Sequence, residues 1–158
     1  MKTFIGDIFE GEWDGMVHCA NLYHTMGGGI ARVIANRFPE VYDADAETAY
    51  ADPDKLGGFS KARIVNGRDI YNLYGQIGIG NDGHPMNRNA RYDAIYDGVF
   101  NICLDIQESL FDTYILAFPY KMASDLAGGD WNIVLAILES VESHFSNIEF
   151  RIYKLENA

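Results

Sequence analysis

The sequence predicts an α/β domain in which helices pack on a mixed β-sheet. Short apolar segments of strand length alternate along the chain with longer segments whose apolar residues recur at helical spacing. Two of the strand-like segments lead through a glycine-containing loop directly into a helix, which is typical of parallel strands joined by helical crossovers. Another pair of segments is joined by Asn66-Gly67, which predicts an antiparallel hairpin, so parallel and antiparallel strands should share the sheet.

Composition limits the size of the domain and the ways in which it can bind a partner. The 158 residues, 48% of them hydrophobic and 13% aromatic, predict a single domain over 1–158 with a two- or three-layer core. A net charge of −11 disfavours binding to nucleic acid or to a membrane surface through bulk electrostatics, because both require a positively charged surface. An anionic ligand would therefore have to be held by local backbone N–H groups.

Cysteine usage and the amino terminus predict a cytoplasmic setting. Cys19 and Cys103 are far apart and lack CxxC spacing, and residues 1–9 lack the apolar core of a signal peptide. No apolar run approaches the roughly 20 residues that a membrane span requires. We therefore expect no association with a membrane.

The first part of the chain predicts two strands and two helices. Residues 2–5 are β-prone and precede a polar loop, and residues 16–20 are apolar enough for an internal strand. Apolar residues then recur at helical spacing from Ile30 as far as Pro39, which should end this helix. Residues 41–50 predict a second, acidic helix.

The middle of the chain predicts a hairpin, a long loop and a long helix. Residues 62–65 and 68–74 flank Asn66-Gly67, a pair that favours a type I′ turn. Residues 75–91 carry four glycines and three asparagines without periodicity, and a loop of this length in a compact domain is often functional. Residues 92–106 have the apolar spacing of an amphipathic helix.

The last part of the chain predicts a strand, a helix and a final strand. Residues 114–118 form a continuous apolar run of the kind that is buried in a parallel sheet. A glycine-containing loop over 119–130 leads into a helix for which Asp130 is a candidate N-cap. Residues 148–155 alternate between apolar and polar, which predicts a half-buried strand and leaves an edge position open.

Both glycine-containing loops are suited to hold phosphate groups. Residues 16–31 combine a strand, several side chains able to do chemistry, three consecutive glycines and the start of a helix. A helix N-terminus offers unpaired N–H groups and the positive end of its dipole to an anion. Neither GxGxxG nor GxxxxGK[ST] occurs, which argues against a dinucleotide dehydrogenase and a P-loop NTPase. We expect the two loops outside the carboxyl ends of strands, where they could grip two adjacent phosphates.

Four motifs, in this order, resemble the macrodomain family. They are Gly6-Asp7-Ile8 after the first strand, Asn21 ahead of Gly27-Gly28-Gly29-Ile30-Ala31, Tyr71-Asn72-Leu73-Tyr74-Gly75-Gln76 on a middle strand, and Leu126-Ala127-Gly128-Gly129-Asp130-Trp131 before the last helix. The resemblance extends over residues 4–155. It implies a three-layer α/β/α sandwich with a central mixed sheet that binds ADP-ribose or a related nucleotide.

The resemblance also implies roles for individual residues. Asp7 would accept a hydrogen bond from the adenine amino group, with Ile8 beside it and Tyr153 lining the same side. Asn21 would touch the distal ribose. The positions implied for ligand contacts in and around the two phosphate loops are His24, Met26, Gly27, Gly28, Gly29, Ile30, Gln76, Ser124, Leu126, Ala127, Gly128 and Gly129.

Within the family, the spacing resembles most closely the branch of ADP-ribose-1″-phosphate phosphatases and terminal ADP-ribosyl-protein hydrolases. His18 matches a histidine of that branch that is proposed to act at the terminal phosphate. Many members have Gly-Cys-Gly in the second loop where this chain has Ala123-Ser124-Asp125, which adds a carboxylate close to the distal ribose. The candidate catalytic residues are therefore His18, Asn21 and Asp125.

The leading hypothesis is an ADP-ribose-1″-phosphate phosphatase that needs no metal and no cofactor. Gln76 stands where hydrolase members have a catalytic lysine, which weakens a lysine-based release of ADP-ribose from proteins. The alternatives are a non-catalytic binder of ADP-ribose or of a signalling nucleotide, an ADP-ribosyl-protein hydrolase, and a domain whose altered second loop recognises another nucleotide or a protein.

Each candidate residue also has a structural interpretation. Asp7 could be a turn or cap residue, His18 a buried core histidine, His24 an ordinary loop residue, Asp125 a cap or solvated carboxylate, and Lys121 a solvated residue at a strand end. His18, Cys19 and His24 are too few for a closed zinc site, which takes four ligands.

Overall fold

The computed structural model describes residues 1–78, 88–109 and 112–158, which form six strands and four α-helices. In chain order the elements are β1 (Lys2–Ile5), β2 (Gly15–Ala20), α1 (Gly29–Arg37), α2 (Pro39–Ala46), β3 (Phe59–Arg63), β4 (Asp69–Tyr74), α3 (Tyr92–Glu108), β5 (Tyr114–Pro119), α4 (Trp131–Glu142) and β6 (Ile148–Lys154). The strands form one sheet in the order β1-β6-β5-β2-β4-β3, and all neighbours are parallel except β3 and β4. The predicted α/β class with a mixed sheet is confirmed.

Helices cover both faces of this sheet. On one face, Ile34 of α1 and Val41 of α2 pack in a cluster with Met16 of β2. On the other face, α3 and α4 pack against a cluster that includes Val17. Met16 and Val17 enter opposite layers because successive side chains of a strand point to opposite faces. The result is the expected three-layer α/β/α sandwich.

Pro39 separates two consecutive helices. It ends α1 as predicted, and it also begins α2, because a proline at the first helical position gives up only an N–H group that would be unpaired. The prediction of a helix over residues 41–50 therefore placed both of its ends too late. The helix begins two residues earlier, at Pro39, and ends four residues earlier, at Ala46. α2 stops at Ala46 because the N–H and the hydroxyl of Thr48 both donate to the Asp45 carbonyl, at 3.0 and 2.6 Å, and close a terminal turn.

The last strand, β6, is internal and not at an edge. It pairs with β5 on one side and with β1 on the other, so the edges of the sheet are β1 and β3. Its alternating sequence arises because Glu149 is exposed and Arg151 is partly exposed, while Phe150 and Ile152 are buried against α3 and α4. An alternating sequence indicates that one face of a strand is buried. It carries no information on whether the strand is hydrogen-bonded to neighbouring strands on both sides.

The hairpin of β3 and β4 is confirmed, with a loop one residue longer than predicted. The Ile64 carbonyl accepts from the Gly67 N–H at 3.2 Å, and the Ile64 N–H donates to the Arg68 carbonyl at 2.8 Å, which encloses three loop residues. Asn66 and Gly67 both have a φ of 74°, a conformation that asparagine and glycine tolerate. A three-residue loop therefore replaces the two-residue type I′ turn.

The two ends of the loop predicted over residues 75–91 run side by side. Gln76 forms an antiparallel bridge with Ala90, and the Ile77 N–H donates to the Asn89 carbonyl at 3.0 Å. Residues 79–87 of that predicted loop lie outside the described residues. Within the described ranges, no helix is both long enough and apolar enough to cross a membrane.

Candidate functional site

The carboxyl ends of β2 and β5 meet at the centre of the sheet. β2 and β5 are parallel neighbours in the sheet. The next strand beyond β2 is β4, and the next strand beyond β5, in the opposite direction, is β6. The helices that follow them, α1 and α4, lie on opposite faces. This is a topological switch point, the place where open α/β sheets bind ligands. A cleft of about 440 Å³ lies there, and both connecting loops contribute to its lining.

One wall of the cleft is formed by the loop after β2 and the start of α1. Gly28 is the N-cap of α1 and provides no side-chain acceptor, so N–H groups of the first turn remain available. A Cβ atom added at Gly27, Gly28 or Gly29 would meet no atom within 4 Å. Gly29 has a φ of 55°, which glycine adopts without strain. This wall therefore presents bare backbone donors and the positive end of a helix dipole.

The opposite wall is the loop after β5, which internal hydrogen bonds hold in shape. The Gly129 N–H donates to the Ala123 carbonyl at 2.9 Å, and the Gly128 N–H donates to the Asp125 carbonyl at 3.1 Å. A Cβ atom at Gly129 would lie 2.5 Å from the Ala123 carbonyl oxygen, so only glycine fits there. Within the described residues, the backbone N–H groups of 125–127 donate to no protein acceptor, and these three residues line the cleft.

The cleft is completed by Cys19, at the end of β2, and Gln76, which follows β4. The Gln76 Nε2 donates one of its two protons to the Gly78 carbonyl at 2.7 Å, so the second amide proton and the amide oxygen remain for a ligand. Burial raises the pKa of the Cys19 thiol to about 12. Because the thiolate is the nucleophilic form, Cys19 is a poor nucleophile at neutral pH.

The cleft brings together predicted residues from three separate segments of the chain. They are Asn21, Met26, Gly28, Gly29 and Ile30 from the first loop, Gln76 after β4, and Asp125, Leu126 and Ala127 from the second loop. Of the three candidate catalytic residues, Asp125 is the exposed one, so its carboxylate is accessible to a ligand or to water.

Asn21 lines the cleft with its amide already engaged. Its Nδ2 donates to the carbonyl and to the hydroxyl of Thr25, at 3.0 and 2.7 Å, and its Oδ1 accepts from the Tyr23 N–H at 2.8 Å. Both amide protons are therefore used within the loop, and one lone pair of Oδ1 is left. In this arrangement Asn21 shapes the loop and can accept, but not donate, a hydrogen bond.

His18 does not reach the cleft. Its side chain is completely buried, and its Nε2 lies 2.5 Å from the Oδ1 of Asn72. Asn72 uses its Nδ2 to donate to the Val41 carbonyl and the Ser60 hydroxyl, so its Oδ1 is the acceptor and the His18 proton is assigned to Nε2. Desolvation lowers the pKa of His18, and the Asn72 hydrogen bond and the charge of Asp45 oppose this effect. This placement fits the interpretation of His18 as a core histidine.

The residues predicted for the adenine side lie outside the lining of the cleft. Asp7 caps the short 3₁₀ turn Ile8–Glu10 and accepts from the Phe9 N–H at 2.9 Å. Ile8 and Tyr153 are buried, and the Tyr153 ring stacks on Phe4 with 5.6 Å between centroids. The sheet nevertheless connects them to the cleft, because β1 and β6 end at the same edge as β5.

The other predicted contacts shape the loops around the cleft. The His24 Nε2 lies 3.2 Å from the Thr48 hydroxyl, and the His24 ring meets Tyr50 edge to face. The Ser124 hydroxyl donates to the Met122 carbonyl at 3.2 Å. Gly27, Gly128 and Gly129 also lie outside the lining, although their neighbours form it.

Sequence reasoning missed several residues that line the cleft, among them Thr25, Tyr120 and Lys121. Lys121 was interpreted as a solvated strand-end residue; it is exposed just after β5, and it also forms part of the wall. The position of Tyr120 and Lys121 directly after β5 was an available signal, because strand ends at a switch point carry ligand contacts. Across the described ranges, no group of three or more His, Cys, Asp or Glu side chains is arranged to hold a metal ion.

Comparison with known proteins places this architecture among solved structures. No family model matches the chain. An uncharacterized 17.5 kDa protein from the tk-vs intergenic region of Enterobacteria phage T4 is 28% identical over an alignment of 151 residues that covers 90% of each chain. The macrodomain of Mycobacterium tuberculosis DarG is 21% identical and superimposes with a TM-score of 0.76 over 97% of both chains. Thermosipho africanus DarTG in complex with ADP-ribose is 18% identical, with a TM-score of 0.72 over 97% of this chain and 41% of that one.

These structural likenesses lie below 25% identity, so they establish the fold. Each of them covers 97% of this chain. The protein has the α/β/α fold of the macrodomains.

Proposed function

We propose that this protein binds ADP-ribose or a derivative of it in the cleft between the ends of β2 and β5. The observation that carries the proposal is the convergence of two loops with open backbone N–H groups on one cleft at the switch point. Two such walls suit a diphosphate, because each can hold one of two adjacent negative charges. The macrodomain fold, and the ADP-ribose complex of Thermosipho africanus DarTG, support the choice of nucleotide.

The ligand would lie along the carboxyl edge of the sheet. Residues 28–30 and 125–127 would hold the diphosphate through backbone N–H groups. Asp7, Ile8 and Tyr153 would receive the adenine beyond the end of β6, and the loop that Asn21 and His24 shape would border the distal ribose. Backbone donors suit a protein of net charge −11, since they attract an anion locally without requiring a positive surface.

Calorimetric titration with ADP-ribose tests the binding proposal, and Gly28→Glu is the decisive variant. Gly28 has an extended backbone that any residue adopts, and a Cβ atom there meets open space, so the fold should tolerate the change. A carboxylate beside the diphosphate should weaken binding by about 100-fold or more, because juxtaposed like charges cost several kcal/mol.

The matched control is Gln107→Glu, which adds the same charge on the exposed surface of α3 and should leave the affinity unchanged. Equal affinities of the wild type and Gly28→Glu would show that the glycine wall does not hold the ligand. Absence of ADP-ribose binding by the wild type would reject the proposal as a whole.

A second candidate function is hydrolysis, with ADP-ribose-1″-phosphate as the preferred substrate. The observation that favours it is the exposed carboxylate of Asp125 in the lining of the cleft. Asp125 would accept a proton from a water molecule whose oxygen attacks the terminal phosphorus. The bond from phosphorus to the ribosyl oxygen would break, and the leaving oxygen would take a proton from solvent. Release of ADP-ribose from proteins has less support, because Gln76 supplies no basic nitrogen.

Asp125→Asn separates catalysis from binding. The substitution keeps the shape of the side chain, and the Asp125 carbonyl that accepts from Gly128 is retained. Phosphate release from ADP-ribose-1″-phosphate should fall by about 100-fold or more, within the range that general acid–base catalysis supplies, while ADP-ribose still binds. Equal release rates for the wild type and the variant would exclude Asp125 as the base, and tight binding without any release would leave a binding module.

A further inference from the structure

Two lysine side chains converge on one tyrosine ring at the border of the cleft. The Lys154 Nζ lies 4.6 Å from the centroid of the Tyr120 ring, and the Lys121 Nζ lies 5.5 Å from the same centroid. The ring itself is held in place by Trp131, which it meets edge to face at 5.4 Å. Tyr120 and Lys121 line the cleft, and Lys154 is the last residue of β6, the strand next to β5.

This convergence places two positive charges beside one aromatic ring. Both ammonium groups are within reach of the ring, so they lie within about 10 Å of each other. The face of the ring attracts each of them, and salt screens much of their mutual repulsion at this distance. Among the ion pairs of the described residues, none includes Lys121 or Lys154. An anion that reaches both groups would accept a charge-assisted hydrogen bond from each.

One of these lysines, Lys121, also has an unfavourable backbone conformation. Lys121 has a φ of 60°, a left-handed conformation that residues with a Cβ atom rarely adopt. A strained residue that lines a cleft is more often functional than a strained residue elsewhere. Lys121 is thereby held beside Tyr120, in a protein whose net charge is −11.

The position of the pair points to one part of the ligand. Ile5 is paired with Lys154 in the sheet, and the Gly6 N–H donates to the Lys154 carbonyl at 2.8 Å, so Lys154 lies between the second phosphate loop and Asp7. This step rests on the proposed function, in which Asp7 receives the adenine. In ADP-ribose the adenosine ribose is the group between the diphosphate and the adenine. An additional phosphate that meets the lysine pair would therefore be attached to that ribose.

We propose that Lys121 and Lys154 form a subsite for a phosphate monoester on the adenosine ribose of the bound nucleotide. The preferred ligand is then an ADP-ribose derivative that carries a 2′- or 3′-phosphate. Both ammonium groups lie near the Tyr120 ring, which lines the cleft, so the subsite is continuous with the cleft.

Calorimetric titrations of the wild type with ADP-ribose and with its 2′- and 3′-phosphorylated derivatives test this proposal. At least one phosphorylated derivative should bind about tenfold more tightly than ADP-ribose, since hydrogen bonds between charged groups at a partly exposed site contribute in this range. The preference should shrink as salt is raised, because the lysines are solvent-accessible. Equal affinities for all three nucleotides would overturn this inference alone, whereas no binding of any of them would overturn the proposed function with it.

The variant for this test is the double substitution Lys121→Gln and Lys154→Gln. It should abolish the preference for the phosphorylated derivative, and a preference that survives would overturn the assignment. Lys2→Gln is the matched control, because it removes an exposed lysine from the amino end of β1, and it should keep the full preference. Inorganic phosphate is titrated into the wild type with ADP-ribose bound. Lysine-dependent binding of this free anion, together with equal affinities for the three nucleotides, would show that the subsite does not belong to the nucleotide.

Discussion

Several polar side chains of this protein form a hydrogen-bond network that is separate from the lining of the cleft. The network begins at His18, passes through Asn72 to the Ser60 hydroxyl, continues to the Tyr74 hydroxyl at 2.7 Å and ends at the Asp45 carboxylate, again at 2.7 Å. Asp45 is 1% exposed, and its carboxylate accepts the Tyr74 hydrogen bond and interacts with the charge of Lys55. The network joins β2, β3, β4 and α2, and none of its members lines the cleft.

The buried imidazole of His18 predicts a specific dependence of stability on pH. Desolvation lowers the pKa of His18 in the folded state, whereas an unfolded histidine takes up a proton near pH 6.5. The unfolded state therefore binds more protons below pH 6.5, and stability falls as pH decreases from 6.5 toward the lowered pKa. One such group contributes a slope of up to about 1.4 kcal/mol per pH unit.

Urea unfolding of the wild type and of His18→Gln between pH 7.5 and pH 5 measures this slope. The variant should be less stable at pH 7.5, because the network loses its first member, and its stability should fall less steeply with acid. His144→Gln removes an exposed imidazole and is the control. Parallel curves for the wild type and His18→Gln would show that folding does not change the pKa of His18.

At the scale of secondary-structure elements, the two helices that follow the cleft loops differ in their N-terminal caps. α1 begins at a glycine cap without a side-chain acceptor, which leaves its donors to the ligand. α4 begins with Asp130, whose Oδ1 accepts from the Asn132 N–H at 2.9 Å, so its own side chain satisfies this end. One helix is thus open to an anion and the other is closed, although both follow glycine-containing loops.

Removal of the α4 cap should destabilise the protein without removing any core contact. Asp130→Ala should cost about 1 kcal/mol, and Asp130→Asn should retain most of the stability because asparagine also caps well. For a domain of this size the alanine variant should melt about 2–4 °C lower. Glu108→Ala removes a carboxylate from the end of α3 and is the control. If Asp130→Ala and Asp130→Asn melted together, the cap would contribute nothing.

Element types were predictable from periodicity, and several boundaries were not. The N-cap at Asp130 and the hairpin follow from local chemistry, which the sequence displays directly. The end of α2 depends on the hydrogen bonds from Thr48 to the Asp45 carbonyl. The length of the hairpin loop depends on which residues form its closing hydrogen bonds, and here Ile64 bonds to Gly67 and Arg68. Apolar spacing carries no information about such bonds. The cleft walls were predictable as loops, whereas the engagement of Asn21 by Thr25 required the folded geometry.

For the whole molecule, strand order was the main feature that the sequence could not supply. The pairing of β5 with β2 brings the two loops together, and it joins segments about 100 residues apart. The internal position of β6 likewise depends on β1, a strand of four residues from the opposite end of the chain. Family resemblance supplied the architecture that local patterns could not. It did not place His18, because an apolar strand around a histidine is compatible with both a core and a catalytic role.

The charge of the whole molecule predicts an unusual salt dependence of ligand binding. A net charge of −11 repels an anionic diphosphate at long range, while the backbone donors that hold it act at short range. Raising the ionic strength from about 0.01 to about 0.15 M shortens the Debye length from about 30 to about 8 Å and screens mainly the repulsion. The affinity for ADP-ribose measured by calorimetry should therefore rise over this range, by about two- to fivefold, and the affinity for uncharged adenosine should not change. A steep fall with salt would mean that side-chain cations, and not the amides of the two loops, hold the diphosphate.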